Sequence, residues 1–207
     1  MIIAVDGPLA SGKGTIARAL AARFGLPHLD TGSLYRATAV ALMEAGADPN
    51  DPDIAEQAAR SLDPADIDEQ TIRTAEAGAA ASVIAAQPRV RAALRALQLA
   101  FADQPGGAVL DGRDIGTVIC PHADVKLYVT ASEDARAGRR HAELISRGDD
   151  VSFDQVLTQL RERDGRDAAR ADSPMKPADD AIEVDTSEMS IDEAIQAAAS
   201  LVEARRR

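Results

Sequence analysis

The residues best suited to chemistry stand near the start of the chain. Gly7, Pro8, Leu9, Ala10, Ser11, Gly12 and Lys13 read G-x-x-x-x-G-K and run on into Gly14 and Thr15. Glycines let the backbone curl until successive N–H groups point inward, the geometry that cradles phosphate oxygens. A helix opening directly after the loop offers its N-terminal N–H groups and the positive end of its dipole to the same anion. Lys13 adds a movable point charge for the outer phosphates. The flanking elements are the required ones. Ile2 to Val5 is an apolar run without polar alternation, as in a strand buried on both faces. Ile16, Leu20 and Phe24, with Ala17 and Ala21, recur at helical spacing until Gly25 stops the helix.

One position departs from the general pattern. The Ser or Thr that directly follows the lysine is here Gly14, and Thr15 comes one place later. Whether Thr15 touches Mg²⁺ directly is therefore open. The Gly-Lys-Gly-Thr ending resembles nucleoside monophosphate kinases more than GTPases or motor ATPases.

Two further groups could serve a bound phosphate. Asp111-Gly112-Arg113-Asp114 follows an apolar strand candidate at 108–111. An acidic residue ending a strand beside a phosphate loop is a common outer anchor for Mg²⁺, often through water. A cap or turn former is the plainer reading of either Asp alone. Farther on stand Arg136, Arg139, Arg140, Arg147, Arg161, Arg163, Arg166 and Arg170. Arg163, Asp167 and Arg170 fall at i, i+4 and i+7 and share a helical face. A solvated face accounts for Arg147 and Arg161. Two Arg-rich helices around a turn at Gly148 suit a lid that brings guanidinium forks to a transferring phosphoryl group and excludes water.

The elements that must hold these groups alternate between strand and helix. Strand candidates at 27–30, 108–111, 125–129 and 182–185 join the first one. The stretch 29–36 runs into a helix ending near Gly46, and further helices follow over most of 54–104, after Ser132, from the Ser152-x-x-Gln155 capping box toward 170, and from Ser190-x-x-Glu193. Asp48 to Asp53 reads as a loop. The pattern predicts an α/β layered fold with a mostly parallel sheet and ligands at the carboxyl ends of its strands.

Composition narrows the partners. At 207 residues the chain can bury one sizeable core with inserted lobes. A net charge of −11 argues against nucleic acid. Two Tyr, three Phe and no Trp leave no stacking platform for single strands. Only three of the 23 basic residues are Lys, a bias toward rigid forks that grip phosphate bidentately. No stretch resembles a leader or approaches membrane-spanning length. With a lone Cys120, expected to pack, the reading is a reducing, cytoplasmic compartment and no membrane partner. The acidic surface and lack of a long apolar patch make a monomer the expectation.

Taken together, these stretches resemble bacterial cytidylate kinases along almost the whole chain. The resemblance rests on 6–15; Leu29-Asp30-Thr31-Gly32 with Tyr35-Arg36; Pro88-Arg89-Val90-Arg91; 111–118; Arg136 with Arg139-Arg140; Arg163-Asp164, Arg166-Asp167 and Arg170; and Asp185-Thr186-Ser187. It implies a three-layer fold around a five-stranded sheet, with a core of 1–36, 105–132 and 180–207. A monophosphate-binding lobe would occupy 37–104 and an Arg-rich lid 133–179. It implies transfer of the ATP γ-phosphoryl to CMP or dCMP with Mg²⁺, giving the diphosphate and ADP. By matching motifs, the loop from Gly7 to Thr15 with Arg139 and Arg140 would bind ATP, and Lys13, Arg113 and Arg163 would serve transfer. Asp111 would anchor the metal through water. Thr31 and Arg36 would hold the acceptor phosphate. Ser82, Arg91 and Asp114 would read cytosine, and Asp167 and Arg170 would hold the sugar. Such roles suit cytosine, whose exocyclic amine donates to a carboxylate and whose N3 and O2 accept from Arg91 and Ser82. A uracil carbonyl opposite Asp114 would set two acceptors face to face, costing on the order of 1–3 kcal/mol.

The chain departs from the family in its lobe, which usually includes a small antiparallel sheet. Here Leu62 to Thr71 is too short and acidic for several strands, so a mainly helical lobe is expected. Two other readings compete. Another small-acceptor kinase of this fold, of adenylate or shikimate kinase type, would share the loop but not 111–117. A nucleotide-binding switch would bind ATP without an acceptor, leaving the arginines and Arg36 without a purpose.

Overall fold

Three apolar strands make the middle of the sheet because their residues can be buried on both faces. They are β1 (Ile2–Asp6), β3 (Ala108–Gly112) and β4 (Val125–Thr130). Short strands β2 (His28–Asp30) and β5 (Ile182–Asp185) complete the order β2-β3-β1-β4-β5. The β1–β3, β1–β4 and β4–β5 pairs are all parallel, with Asp6 level with Gly112 and Tyr128. The carboxyl ends of the strands therefore gather along one edge. From β1 the chain crosses to one side of the sheet for β2 and β3 and to the other for β4 and β5. Open α/β sheets bind their ligands at such a switch point.

The computed structural model describes residues 1–170 and 173–205. They form two compact units, residues 1–29 with 102–170 and 173–205, and residues 30–101. In the first, α1 (Lys13–Phe24) buries Ile16, Ala17, Leu20 and Ala21. They join Ile3, Val5, Val109, Leu127, Val129 and Val184 in one core, with Ala194, Ala198 and Val202 of α8 (Ile191–Arg205). Helices α6 (Glu133–Ser146) and α7 (Phe153–Ala168) pack on each other. The expected caps are in place. Ser132 Oγ accepts from Ala135 N, and Ser152 with Gln155 and Ser190 with Glu193 exchange reciprocal bonds.

The second unit is helical, as its short acidic stretch requires. It holds α2 (Thr31–Glu44), α3 (Pro52–Arg60), α4 (Ala75–Ile84) and α5 (Pro88–Ala102), with single 3₁₀ turns at Pro64–Asp66 and Thr71–Arg73. Helix α2 packs on both α3 and α4. The second unit spans 30–101 where the sequence reading put a lobe at 37–104, and the start of α3 also differs from that reading. Pro52 and Asp53 belong to α3 rather than to the preceding loop. Asp51 accepts from Asp53 N and Ile54 N, and Pro52 takes the first helical position, where a missing N–H is harmless.

The turn after β1 admits only glycine. A Cβ on Gly7 would lie 2.0 Å from the carbonyl oxygen of Val129, which is backbone and cannot swing aside. Gly7→Ala should lower the free energy of unfolding by about 3 kcal/mol or more. Urea unfolding followed by circular dichroism measures it, and an unchanged midpoint would mean that the loop reseats without cost.

Candidate active site

Beyond Gly7 the loop keeps curling. Ala10 has φ 60° and Gly12 φ 89°, both left-handed, and Gly12 is the N-cap of α1. No side chain caps α1, and its first turn holds no acidic residue. An uncapped helix N-terminus free of acids favours an anion. Lys13 Nζ folds back to donate to Pro8 O at 3.2 Å. The hydroxyl of Ser11 is buried and has no hydrogen-bond partner within the protein. Thr15, in the first turn of α1, is exposed.

Two side chains hold the loop from outside. Arg136, 5% exposed, donates to Leu9 O at 3.3 Å and Ala131 O at 3.1 Å and pairs with Asp164 at 2.7 Å. Thr186, just past β5, lies within hydrogen-bond reach of Ser11 O at 2.9 Å and Thr130 O at 3.1 Å. Arg139 in turn donates to the Thr186 hydroxyl at 3.0 Å and to its carbonyl at 2.6 Å. Arg140 pairs with Glu143 on its own helix.

At the end of β3, Asp111 is buried, and His28 Nε2 donates to its Oδ1 at 2.8 Å. Its Oδ2 faces the first turn of α1, 3.7 Å from where a Cβ of Gly14 would stand. No trio of His, Cys, Asp and Glu that could cage a metal occurs among the described residues. A single buried carboxylate is a donor of the kind that a mostly hydrated Mg²⁺ accepts.

Asp114 opens a single π-type turn, Ile115–Ile119, in which Val118 N and Ile119 N donate to Asp114 O. Asp6, at the end of β1, holds this turn, its two oxygens accepting from Ile115 N at 2.8 Å and Gly116 N at 2.7 Å. Arg113 leads away from the turn and donates to Asp167 Oδ2 at 3.0 Å. The other Asp167 oxygen accepts from Arg170. Burial pushes the Asp167 carboxyl up, but Arg113, Arg170 and Arg163 outweigh it and hold the group below the ordinary carboxylate range. In the first unit the structure thus joins Arg113, Asp167 and Arg170 in one ionic group. It ties Arg139 to the strand end at Thr186 rather than directly to the loop.

The second unit carries Thr31, Arg36, Ser82 and Arg91. Thr31 is the buried first residue of α2, and Arg36 pairs with Asp30 at 2.8 Å. Arg36 Nε is buried without a hydrogen-bond partner within the protein. Ser82 shares the buried face of α4 with Gly78 and Ala81, and Arg91 reaches Tyr35 OH at 3.5 Å. Sequence reasoning gave no role to Asp6 or His28 and missed the anchoring functions of Arg136 and Thr186. The only local sign of Asp6 was a carboxylate closing a wholly apolar strand. His28 left no signal, and Arg136 stood out only as one of an Arg cluster, because His28 bonds Asp111 83 residues away and Arg136 bonds Leu9 127 residues away.

A family model described as cytidylate kinase matches residues 3–204. A protein named cytidylate kinase from Xanthobacter autotrophicus is 59% identical over 206 residues, covering 100% of this chain and 99% of that one. One from Methylocella silvestris is 59% identical over 203 residues, covering 98% and 94%. One from Rhizobium meliloti is 53% identical over 203 residues, covering 98% and 96%. Among solved structures, an uncharacterized protein from Eubacterium ventriosum aligns with TM-score 0.55 at 14% identity, covering 98% of each chain. TT1252 from Thermus thermophilus aligns with TM-score 0.51 at 20% identity, covering 100% of this chain and 98% of that one. These two likenesses concern the fold alone.

Burial pushes the Asp6 carboxyl up from 3.8 to about 7, despite the opposing N–H groups of Gly116 and Ile115. The folded protein therefore binds this proton more tightly than the unfolded chain. The stability it contributes is full below the unfolded value and lost as pH rises through about 7. Unfolding free energies of the protein and of Asp6→Asn, compared from about pH 5 to about pH 8, should show the difference shrinking by roughly 2–3 kcal/mol. A difference that stays flat would mean that Asp6 is ionised throughout.

Proposed function

The chain belongs to the cytidylate kinase family, and from that premise we propose that it transfers the γ-phosphoryl group of ATP to CMP or dCMP. Full-length likeness at 59% identity to a protein named cytidylate kinase carries this reading. The uncapped start of α1, the unpartnered hydroxyl of Ser11 and the Asp111 oxygen turned toward the first turn of α1 support it from the geometry.

Residues 7–15 take the ATP phosphates through backbone N–H groups and Lys13. Arg139 and Arg140 stand on α6 for the nucleotide, with Arg139 also bracing the strand end beneath the loop. In the second unit Thr31 and Arg36 hold the acceptor phosphate, where the unpartnered Nε of Arg36 has a donor to offer. Ser82 and Arg91 supply donors to cytosine O2 and N3. Asp114 accepts from the exocyclic amine, and Asp167 with Arg170 holds the sugar. Residues 133–179 serve as a lid whose arginines reach the phosphates and exclude water.

The acceptor is an anionic phosphate oxygen and needs no general base. It attacks the γ-phosphorus in line as the bond to the β,γ-bridging oxygen breaks, leaving ADP. The protein contributes position and positive charge from Lys13, Arg113 and Arg163. Asp111 would hold Mg²⁺ through water, with Thr15 a second candidate, and the ion would supply charge neutralisation on the phosphates.

An ADP-release assay with ATP, Mg²⁺ and CMP, dCMP, UMP, AMP or GMP in turn tests the reading. Turnover with CMP and dCMP alone is expected. Turnover that prefers AMP would assign the chain to another acceptor class. Hydrolysis without acceptor dependence would favour a switch. Lys13→Ala should cut turnover about 100-fold or more with the thermal midpoint kept, and near-normal turnover would remove its electrostatic role. Asp114→Ala should narrow the preference for CMP over UMP, and unchanged discrimination would reassign the base contact.

A further inference from the structure

We infer that His28 is a positioning residue for the carboxylate that holds the metal, an inference that rests on the reading of Asp111 given above. His28 lies on β2 with its side chain 17% exposed, and its Nε2 donates to Asp111 Oδ1 at 2.8 Å. A carboxylate can turn about its last bond, and a donor fixed on one oxygen selects one orientation. That orientation leaves Oδ2 facing Gly14 and the first turn of α1. Asp111 is 2% exposed, so solvent has little room to perform the same task.

This chain has a particular need for such an arrangement. Position 14 carries no hydroxyl, and Thr15, the next candidate, is exposed. More of the protein's hold on a hydrated Mg²⁺ therefore passes to Asp111, and its orientation matters correspondingly more. Partners that orient a metal-binding carboxylate in this way are commonly worth about 10–100-fold in metal affinity. Imidazole suits the position because its ring reaches the carboxylate from the neighbouring strand with a rigid donor.

The test separates metal binding from catalysis. The affinity of the protein for a non-hydrolysable ATP analogue is measured calorimetrically with saturating Mg²⁺ and again with EDTA, and the ratio gives the metal's share. His28→Phe keeps a ring and removes the donor. It should lower the ratio about 10-fold and leave the affinity in EDTA unchanged. His28→Gln, whose amide can still donate, should stay within about 3-fold of the parent ratio. His28→Leu provides a second donor-free variant should His28→Phe fail to fold. Equal loss in His28→Gln and the donor-free variants would overturn the inference, because ring packing would then be responsible. Asp111→Asn is measured alongside. A lowered ratio there with none in the donor-free His28 variants overturns the role of His28 alone. An unchanged ratio in Asp111→Asn overturns the reading of Asp111 and the inference with it.

Discussion

A single steric constraint governs the first unit. Gly7 sits so close to the carbonyl of Val129 that the loop after β1 can leave the sheet along only one path. The left-handed turns at Ala10 and Gly12 follow from that exit and deliver the chain to the start of α1. Arg136 and Thr186 then hold the loop by its own carbonyls, at Leu9 and Ser11. The path of the loop is thus held from outside, sterically at Gly7 and by hydrogen bonds at Leu9 and Ser11.

A second chain of contacts runs from the same strand. Asp6 closes β1 and grips the amides that open the turn at Ile115–Ile119. That turn fixes the direction in which Arg113 leaves β3, and Arg113 is bonded to Asp167 near the end of α7. Asp167 then takes Arg170 with its other oxygen. A carboxylate buried in the sheet is thereby linked through backbone and guanidinium groups to the Arg-rich helix. Leaving Asp167 or either arginine unpaired in the interior would be costly, so these three persist as a group. Single π-type turns are rare in proteins and often mark functional sites, where the extra residue redirects side chains.

Much of the fold was legible because its signals are local. Ser152 with Gln155, Ser190 with Glu193 and the stripe from Ile16 to Phe24 are patterns over three or four residues, set by helix geometry alone. The apolar runs of β1, β3 and β4 announced strands buried on both faces, which only an alternating α/β order can supply. The short acidic stretch at 62–71 announced a lobe without a sheet, because it has too few residues to pair. The start of α3 was misread because the loop-like Asp-Pro composition of 48–53 also contains the Asp51 cap and the Pro52 start.

By itself, then, the sequence determined the glycine-rich loop after the first strand, the alternation of strands and helices, and the residue types available at each strand end. These depend on neighbours along the chain and on the periods 2 and 3.6. The tertiary structure alone decided which charges meet. His28 finds Asp111, Arg136 finds Leu9 and Asp164, Thr186 finds Ser11, and Asp6 finds a turn 109 residues away. Such pairs leave no periodic trace, because a hydrogen bond between distant residues depends on where strand order and register bring two backbones together. Parallel pairing of β1 with β3 and β4 brings those ends to one edge, and there the loop acquires its supports and its neighbouring carboxylates.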